Sequence, residues 1–521
     1  MNAIELENRY AAHNYAPLPV VLARGQGAHL WDTAGHSYID MMSAYSAASH
    51  GHAHPRILKA LETQARLLAV PSRAYYNDRL GPLLEELCKL AGLDAALPMN
   101  TGAEAVETAI KAARRWGYRV KGIPRDRAEI IVANGNFHGR TTTVISFSTE
   151  AEYRDGFGPF TPGFRTVPFG DLAAIERAIT PETAAVLIEP IQGEAGIIVP
   201  PAGFLIGLRR LCDAHHVLLI LDEVQSGLGR TGAWFAFQHD NVRPDGLILG
   251  KALGGGVLPV SAFVGTRELM DVFTPGSHGS TFGGNPLAAA VALEALHVIR
   301  DEGLVEKSRV LGAHMLERLR AIKSPALKAV RGRGLWIGAE IEPRIASARE
   351  ACERLLAKGV LSKETHHTVV RLAPPLVIAR AVEHAIAGAF EHQAVRQPPH
   401  RIDDAVRLQG TECGLVMALL ALALRMSEAR KQRDTIEHHR GVGGEHQIGE
   451  VGRGRDMLDG RAQLAQAALQ RLPFPPRRRG MGALRLRPAL RVHPRINGIA
   501  HRKMLRRTHQ QAGRRFTQGH R

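Results

Sequence analysis

Short, continuously apolar stretches alternate with longer stretches of helical periodicity through residues 1–395. Such alternation is typical of an α/β protein in which the parallel strands of a sheet are buried on both faces. Helices are predicted between the strands, for example over Ala103–Trp116 and Phe204–His215. The predicted strands are Glu129–Ala133, Ala184–Ile188, Val217–Leu221, Gly246–Leu249 and Val260–Val264. The pattern therefore favours a mostly parallel sheet covered by helices.

A second region with a different pattern follows these strands. A helical stretch begins at Asn285, and the segments "GRGLWIGAEIE" and "VVRLAPPLVI" after it predict a smaller α+β domain. In open α/β sheets, ligands bind at the carboxyl ends of the strands. Asp222 and Lys251 both stand at such strand ends, so we expect the functional site along that edge of the sheet.

The composition changes near residue 395. Residues 396–521 contain 26 Lys and Arg against 10 Asp and Glu, whereas residues 1–395 contain 41 and 40. The net charge of +17 therefore belongs almost entirely to this C-terminal tail, and any argument for nucleic-acid binding belongs there too. The tail has few large apolar side chains with which to offset the entropy of ordering, so we expect it to be disordered.

Other bulk features argue against several classes of protein. The chain has four scattered cysteines (Cys88, Cys212, Cys352 and Cys413) and no C-x-x-C pair, which argues against a structural zinc site or a disulfide scaffold. The first ten residues contain acids and no apolar core, unlike a secretory signal or a transit peptide. The longest apolar run, Cys413–Leu424, is too short for a membrane span. We expect a cytoplasmic protein without a membrane segment.

One lysine stands between an apolar run and a cluster of glycines, in "DGLILGKALGGG". Lys251 does not belong to a nucleotide-binding phosphate loop, because Ala252 stands where that loop needs Ser or Thr. The position suits a lysine that forms a Schiff base with a carbonyl cofactor, since burial favours the neutral amine and glycines let a cofactor approach. The alternative is a surface lysine whose stem packs on apolar neighbours.

Such a cofactor needs a site for its phosphate, and "NTGAEAVETA" offers one. The segment predicts a helix that begins with a capping box of Thr101 and Glu104. The free amides near Gly102 and Ala103, together with the helix dipole, can then bind an anion. The alternative is an ordinary, well-capped helix without a ligand.

A pyridine ring also needs a carboxylate and an aromatic neighbour. Asp222 ends an apolar strand and can hold a pyridine nitrogen protonated, with Val224 and Gln225 close enough to touch the ring and its oxygen. Phe137, in "GNFHGRT", can stack on the ring. The alternatives are a helix N-cap for Asp222 and a plain core residue for Phe137.

The order of anion site, aromatic residue, aspartate and lysine is specific, and residues 5–378 also resemble a known family. The chain resembles the class III aminotransferases of the pyridoxal-phosphate (PLP) fold-type-I group, and within them the ornithine aminotransferases. "NTGAEAVE" favours these over the acetylornithine enzymes, which usually read "NSGAEANE". The resemblance is carried by "AHNYAPLPV", "SAYSAASHGHAHP", "PMNTGAEAVETA", "GNFHGRT", "DGFGPFTPGF", "IEPIQGEAG", "DEVQSGLGRTG", "LGKALGGG", "HGSTFGGNPLA" and "RLAPPLVI".

The resemblance implies roles for the residues already singled out. Lys251 is expected to bind PLP as a Schiff base and to carry the proton, and Asp222 to pair with the pyridine nitrogen. Gln225 is expected to contact the ring oxygen, with Phe137 and Val224 on the two sides of the ring.

The phosphate is expected to lie on Gly102 and Ala103 and to be joined by Ser280 and Thr281 from a partner subunit. This arrangement implies a homodimer or a larger homo-oligomer with shared active sites.

The resemblance also implies the substrates, ornithine and 2-oxoglutarate. Tyr15 and Arg140 are expected to hold the end of the substrate remote from the reaction, and Tyr45 to line the same pocket. Arg371 would bind the second carboxylate of 2-oxoglutarate, since arginine binds carboxylates through two hydrogen bonds. Glu194 would neutralise Arg371 while ornithine reacts and then release it.

By the same resemblance, residues 1–50 form an N-terminal segment of the small domain, 51–290 the PLP-binding large domain, and 291–395 the rest of the small domain. The last helix, "ARAVEHAIAGAFEHQAV", departs from the family pattern near Arg380. Residues 396–521 have no family counterpart, and their composition resembles translation in a wrong reading frame. A frameshift is therefore the preferred explanation for the tail.

Three alternatives remain at this point. A sister enzyme acting on acetylornithine or 4-aminobutyrate is disfavoured by Tyr15 and by "NTGAEAVE". An inactive scaffold whose basic tail binds nucleic acid is disfavoured by the intact catalytic positions and by the lack of aromatic residues for base stacking. A metal at His50, His52 and His54 is disfavoured because the matching stretch of the family is structural.

Overall fold

The computed structural model describes residues 1–379. The strands are β1 (Leu22–Gln26), β2 (His29–Asp32), β3 (Ser37–Asp40), β4 (Ala95–Met99), β5 (Glu129–Ala133), β6 (Phe164–Val167), β7 (Thr183–Ile188), β8 (Leu218–Asp222), β9 (Gly246–Leu249), β10 (Ser261–Gly265), β11 (Leu327–Gly332), β12 (Ile337–Ile341), β13 (Val360–Leu361), β14 (Lys363–Thr365) and β15 (Val369–Leu372). The helices are α1 (Ala3–Tyr10), α2 (Pro55–Leu67), α3 (Leu80–Ala91), α4 (Gly102–Trp116), α5 (Thr142–Ile145), α6 (Ala151–Arg154), α7 (Leu172–Ala178), α8 (Phe204–Ala214), α9 (Arg267–Met270), α10 (Pro286–Asp301), α11 (Leu304–Ala321) and α12 (Ala348–Leu356). The predicted last helix, most of it beyond residue 379, and the basic tail lie outside the described residues.

Seven strands form the central sheet, in the order β4-β10-β9-β8-β7-β5-β6. The neighbours from β9 to β6 are all parallel, and β10 runs antiparallel to both β9 and β4. Each of the five predicted strands and both predicted helices is present, with its ends displaced by no more than one residue. The prediction of a mostly parallel sheet is confirmed.

The two faces of this sheet are covered by different helices, because successive side chains of a strand point to opposite sides. Ile130 and Ile220 belong to the hydrophobic cluster that contains the buried face of α4. Leu219 and Leu221, which alternate with Ile220 in β8, belong instead to the cluster that contains Leu208 of α8. Burial on both faces explains why these strands are apolar throughout.

Two smaller sheets lie outside the central one. The first has the order β1-β2-β3-β13, and its β3 pairs in parallel with β13 from the far end of the described chain. The second is antiparallel, with the order β11-β12-β15-β14. The N-terminal strands therefore pair with residues 360–361, and the division into a large and a small domain stays a prediction.

A buried arginine ties the N-terminal segment to later parts of the chain. Nη1 of Arg230 donates to the backbone oxygens of Leu335 (3.0 Å) and Pro374 (2.6 Å). Nη2 donates to the hydroxyls of Ser43 (3.0 Å) and Ser49 (2.8 Å). Burial lowers the pKa of Arg230 to about 9, so this cation depends on its four oxygen acceptors.

The histidines of "SHGHAHP" contact three separate partners. Nε2 of His50 lies 3.0 Å from the Ala295 oxygen, while His52 contacts Asp40 and His54 contacts Glu302.

Within residues 1–379, no helix is both long and apolar enough to cross a membrane.

Candidate active site

A cavity of about 170 Å³ opens at the carboxyl ends of the parallel strands. Its wall is built by the segments that follow β5, β7, β8 and β9, together with the N-terminus of α4. Its lining residues are Gly102, Ala103, Phe137, His138, Gly139, Glu189, Ile191, Asp222, Val224, Gln225, Ser226 and Lys251. These include all seven residues of this chain that the sequence predicts for the lysine, ring and phosphate sites.

Lys251 follows β9 after a single glycine and adopts a left-handed backbone conformation, with φ of 45°. This region is rarely adopted by residues other than glycine, and such strain concentrates at functional sites. Burial lowers the pKa of the Lys251 amine, although the carboxylates of Glu194 and Asp222 act in the opposite direction. The amine therefore loses its proton more readily than an ordinary lysine, as a nucleophilic amine requires.

The N-terminus of α4 has the predicted capping box. The Glu104 carboxylate accepts hydrogen bonds from the amides of Asn100 (2.9 Å) and Thr101 (2.8 Å), and the Thr101 hydroxyl accepts from the Glu104 amide (3.2 Å). The next two amides, of Gly102 and Ala103, have no hydrogen-bond partner within residues 1–379. They line the cavity, so the helix presents two free donors to an anion.

Asp222 is held from two sides at the end of β8. Its Oδ1 accepts the amide of Val224 at 3.0 Å, and its Oδ2 lies 2.7 Å from Nδ1 of His138. Burial alone would lower the pKa of His138, but the hydrogen bond and charge of Asp222 outweigh it and raise that pKa. His138 is buried, and its Nε2 has no partner among the described residues. The Asp222 carboxylate therefore lies in the cavity wall, and His138 holds its Oδ2.

A second buried carboxylate joins two of the loops that form the cavity. Glu189 accepts the amide of Phe137 at 3.0 Å through Oε2 and the amide of Gly193 at 3.1 Å through Oε1. Burial raises the pKa of Glu189 to about 7, with the charge of Asp222 adding to the effect. One side chain thus positions both Phe137 and the segment that carries Glu194.

Arg371, in β15, is buried and faces Glu194. Its Nη2 lies 2.9 Å from Oε2 of Glu194, and its Nη1 donates to Oε1 of Gln225 at 3.2 Å. Nε2 of Gln225 donates to Oε1 of Glu194 at 3.0 Å. Burial by itself raises the pKa of Glu194, but the charges of Arg371 and Lys251 outweigh it and lower that pKa. Glu194 is therefore a carboxylate that neutralises Arg371.

Arg140 has a different environment. Its guanidinium carbon lies 3.5 Å from the ring centre of Tyr153 and 5.6 Å from that of Phe137. The part of the chain that the structure describes supplies no hydrogen-bond or ion-pair partner to Arg140. Tyr45 contacts Arg371 instead, with its ring centre 5.0 Å from the Arg371 guanidinium carbon.

Seven predicted residues are not among those that line the cavity of this chain: Tyr45, Arg140, Glu194 and Arg371, whose contacts are given above, and Tyr15, Ser280 and Thr281. Tyr15 is 77% exposed, although it is close enough to Tyr45 to contribute to its raised pKa. The Ser280 hydroxyl accepts hydrogen bonds from Asn100 Nδ2 (2.9 Å) and from the Gly283 amide. The assignment of Ser280 and its neighbour Thr281 to the site of a partner subunit stays a prediction.

Most of the chain matches a known protein family: residues 10–394 fit the family model of the class III aminotransferases. The chain belongs to the class III aminotransferases. Ornithine aminotransferase 2 of Staphylococcus aureus is 58% identical to it over 377 residues, which are 72% of this chain and 94% of that protein.

Solved structures of class III aminotransferases agree with the fold. An ornithine aminotransferase from Toxoplasma gondii, with partial occupancy of PLP at its active site, has a TM-score of 0.75 at 41% identity, over 82% of this chain and 95% of that one. An acetylornithine aminotransferase from Elizabethkingia anophelis has a TM-score of 0.67 at 42% identity, over 81% and 98%. The predicted fold-type-I architecture is confirmed.

Class III aminotransferases are PLP enzymes, and the cavity fits this cofactor. The free amides of Gly102 and Ala103 would suit its phosphate, and the carboxylate of Asp222, in the cavity wall, would suit its nitrogen. A Cβ added to Gly102 would lie 3.0 Å from Cγ1 of Val224, so a larger residue there would crowd the cavity wall. The donor set therefore suits a phosphorylated pyridine.

Three residues whose contacts build this site, His138, Glu189 and Tyr153, have no role predicted from the sequence. His138 follows Phe137 in the quoted motif, and its position in that loop was the available signal. Glu189, in "IEPIQGEAG", had the signal of an acid directly after a buried strand. Tyr153 carried no such signal, because a tyrosine in a short surface helix is common.

Proposed function

We propose that this class III aminotransferase transfers the δ-amino group of ornithine to 2-oxoglutarate. The products would be glutamate 5-semialdehyde, which cyclises to pyrroline-5-carboxylate, and glutamate. The observation that carries the proposal is the difference between two arginines, because Arg371 is paired with Glu194 while Arg140 has no counter-ion among the described residues. Relatives 56% and 58% identical to this chain are named ornithine aminotransferases, which supports the proposal.

This difference suits two substrates of different charge. With Glu194 bound to Arg371, the pocket presents one free guanidinium, at Arg140, which matches the single carboxylate of ornithine. When Glu194 turns away, Arg371 becomes available to the second carboxylate of 2-oxoglutarate. The same residues can thereby reject a dicarboxylate in one half-reaction and bind it in the other.

The residues around the cofactor would position it and move the proton. When bound, PLP supplies an electron sink for the charge left by a departing substrate proton. Lys251, with its lowered pKa, would take that proton and return it. Asp222 would keep the pyridine nitrogen protonated, and His138 would hold Asp222 in place. Phe137 and Val224 would orient the ring and exclude water from it.

The phosphate would be held by Gly102 and Ala103 and by Ser280 and Thr281 of a second copy of this chain. We therefore propose a homodimer or a larger homo-oligomer, which light scattering of the purified protein can test. A monomer with full turnover would contradict the shared site.

Acetylornithine is the second candidate substrate, because an acetylornithine aminotransferase of known structure is 42% identical to this chain. The two candidates, and 4-aminobutyrate with them, are separated by kcat/KM for each amine with 2-oxoglutarate. We expect ornithine to exceed the other two by about 100-fold, a difference of about 2.7 kcal/mol in transition-state binding. A preference for acetylornithine would overturn the proposal. Absence of turnover with all three would favour the inactive scaffold.

A further inference from the structure

The guanidinium of Arg140 is held by aromatic rings and not by carboxylates. Its carbon lies 3.5 Å from the ring centre of Tyr153, the shortest arginine–ring distance found among the described residues, and 5.6 Å from that of Phe137. A cation over an aromatic face is attracted to it within about 6 Å, and more strongly as the contact becomes closer and drier. Tyr153 is therefore the principal contact of an arginine that has no hydrogen-bond or ion-pair partner within residues 1–379.

Tyr153 is itself fixed with respect to the cofactor site. It lies in α6, is half-buried, and meets Phe137 edge to face, with ring centres 6.1 Å apart and planes at 79°. Burial raises the pKa of the Tyr153 hydroxyl, with nearby Glu194 acting in the same direction and Arg140 against it. The ring is therefore neutral near pH 7 and offers Arg140 an aromatic face.

We propose that Tyr153 is a positioning residue that holds Arg140 by stacking and so sets the affinity of the pocket for the carboxylate remote from the reacting amine. A stacked guanidinium keeps its N–H donors at the edge of its plane, where they can bind a carboxylate through two hydrogen bonds. Without the ring, an exposed arginine loses this orientation and must be ordered again by each substrate. The inference rests on the proposed function in one respect, that Arg140 binds the substrate carboxylate.

The test uses the PLP-loaded enzyme and three variants. Tyr153→Leu removes the aromatic face, and Tyr153→Phe keeps the face without the hydroxyl. The matched control is Phe160→Leu, which removes the neighbouring stack of Arg154 on Phe160, at 4.3 Å. The readouts are KM and kcat for ornithine, and the Kd of glutarate, a dicarboxylate that cannot react, measured by titration calorimetry.

We expect Tyr153→Leu to raise the KM for ornithine and the Kd of glutarate about tenfold, with kcat changed less than about twofold. Tyr153→Phe and Phe160→Leu should stay within about twofold of the unmodified enzyme. The proposal is overturned by an unchanged Kd in Tyr153→Leu, by an equal loss in Tyr153→Phe, or by an equal loss in Phe160→Leu.

Glutarate binding keeps this test separate from the choice of amine substrate. Arg140→Ala should abolish most glutarate binding, and if it does not, Arg140 is not the carboxylate site and the inference fails. If the enzyme prefers another amine to ornithine, the proposed function fails, while the comparison of glutarate affinities still decides the role of Tyr153.

Discussion

Nδ1 of His138 lies 2.7 Å from Oδ2 of Asp222, and both side chains are buried. The pair joins the loop after β5 to the end of β8, across 84 residues of sequence. Oδ1 of Asp222 accepts the Val224 amide, and Asp222 lines the cavity. The carboxylate is thus oriented before any ligand arrives, which reduces the reorganisation needed during the reaction.

Replacing His138 tests this orientation. We expect His138→Phe to lower kcat by about 10- to 100-fold, because a hydrogen bond to a buried charged group contributes about 1.5–3 kcal/mol. PLP should remain bound, since the phosphate site and Lys251 are unchanged. Steady-state kinetics and the ratio of PLP to protein are the measurements, with the partly exposed His297→Phe as control. A kcat equal to that of the control would show that Asp222 does not need its imidazole partner.

Substitutions of Lys251 and Asp222 should differ in how they affect PLP attachment and activity. We expect Lys251→Ala to abolish turnover and the covalent attachment of PLP, while surface Lys59→Ala behaves like the unmodified enzyme. Asp222→Ala should keep part of its PLP and lose most activity, because the pyridine nitrogen is no longer held protonated. Mass spectrometry of the borohydride-treated protein reports the attachment. A colourless purified protein that gains nothing from added PLP would refute the assignment of the cofactor site.

Glu194 should affect the two half-reactions unequally. In Glu194→Ala, Arg371 is unmasked and attracts the ornithine carboxylate in the wrong orientation, so the ornithine half-reaction should slow by about 10- to 100-fold. The glutamate half-reaction, which needs a free Arg371, should suffer less. Single-turnover absorbance measures each half-reaction by itself, and Glu194→Gln should resemble the alanine variant because it also lacks the charge. Equal losses in both half-reactions would reject the hypothesis that Glu194 pairs with Arg371 in one half-reaction and releases it in the other.

His50 should make the fold sensitive to acid. Burial lowers its pKa from 6.5 to about 4, with the nearby charges of His54 and Arg230 adding to the effect. Between these values the unfolded chain binds a proton that the native state excludes, so stability falls as the pH falls. The loss from pH 7 to pH 5 should be about 2 kcal/mol.

The variant His50→Gln isolates this contribution, because its amide can still donate to the Ala295 oxygen but does not titrate. Unfolding by urea at pH 7 and pH 5 should show a smaller acid loss in the variant than in the unmodified protein. Identical losses would mean that other groups cause the acid sensitivity.

Removal of the tail should not harm the enzyme. Deleting residues 396–521 should leave ornithine turnover unchanged or higher, because the family match ends at residue 394 and the S. aureus relative is already covered over 94% of its length. Brief trypsin treatment of the full chain should give an active fragment of the same size as this deletion variant. A deletion that begins at residue 380 also removes family sequence, and it should lose stability. Loss of PLP or of the oligomer in the shorter deletion would show that the tail is part of the fold.

The sequence by itself determined the strands and the first layer of the site. Apolar runs such as Gly246–Leu249 are local signals, because a short continuous apolar run is typical of a strand buried on both faces. The same holds for the capping box of Thr101 and Glu104, which spans a single helical turn. Lys251 and Asp222 could be placed because the ends of parallel strands share one edge of the sheet. Three of the five predicted strands differ by one residue at an end, because the hydrogen bonds to neighbouring strands decide where a strand begins and ends.

Only the tertiary structure decided which polar groups meet. The contact of His138 with Asp222 and the bridge that Glu189 makes between two loops depend on which loops lie side by side, and no periodicity records that. The ion pair of Arg371 with Glu194 was expected from a family resemblance, yet its burial and its link to Gln225 were not. The stack of Arg140 on Tyr153 involves residues close in sequence, but side-chain direction in a loop is fixed by packing and not by spacing.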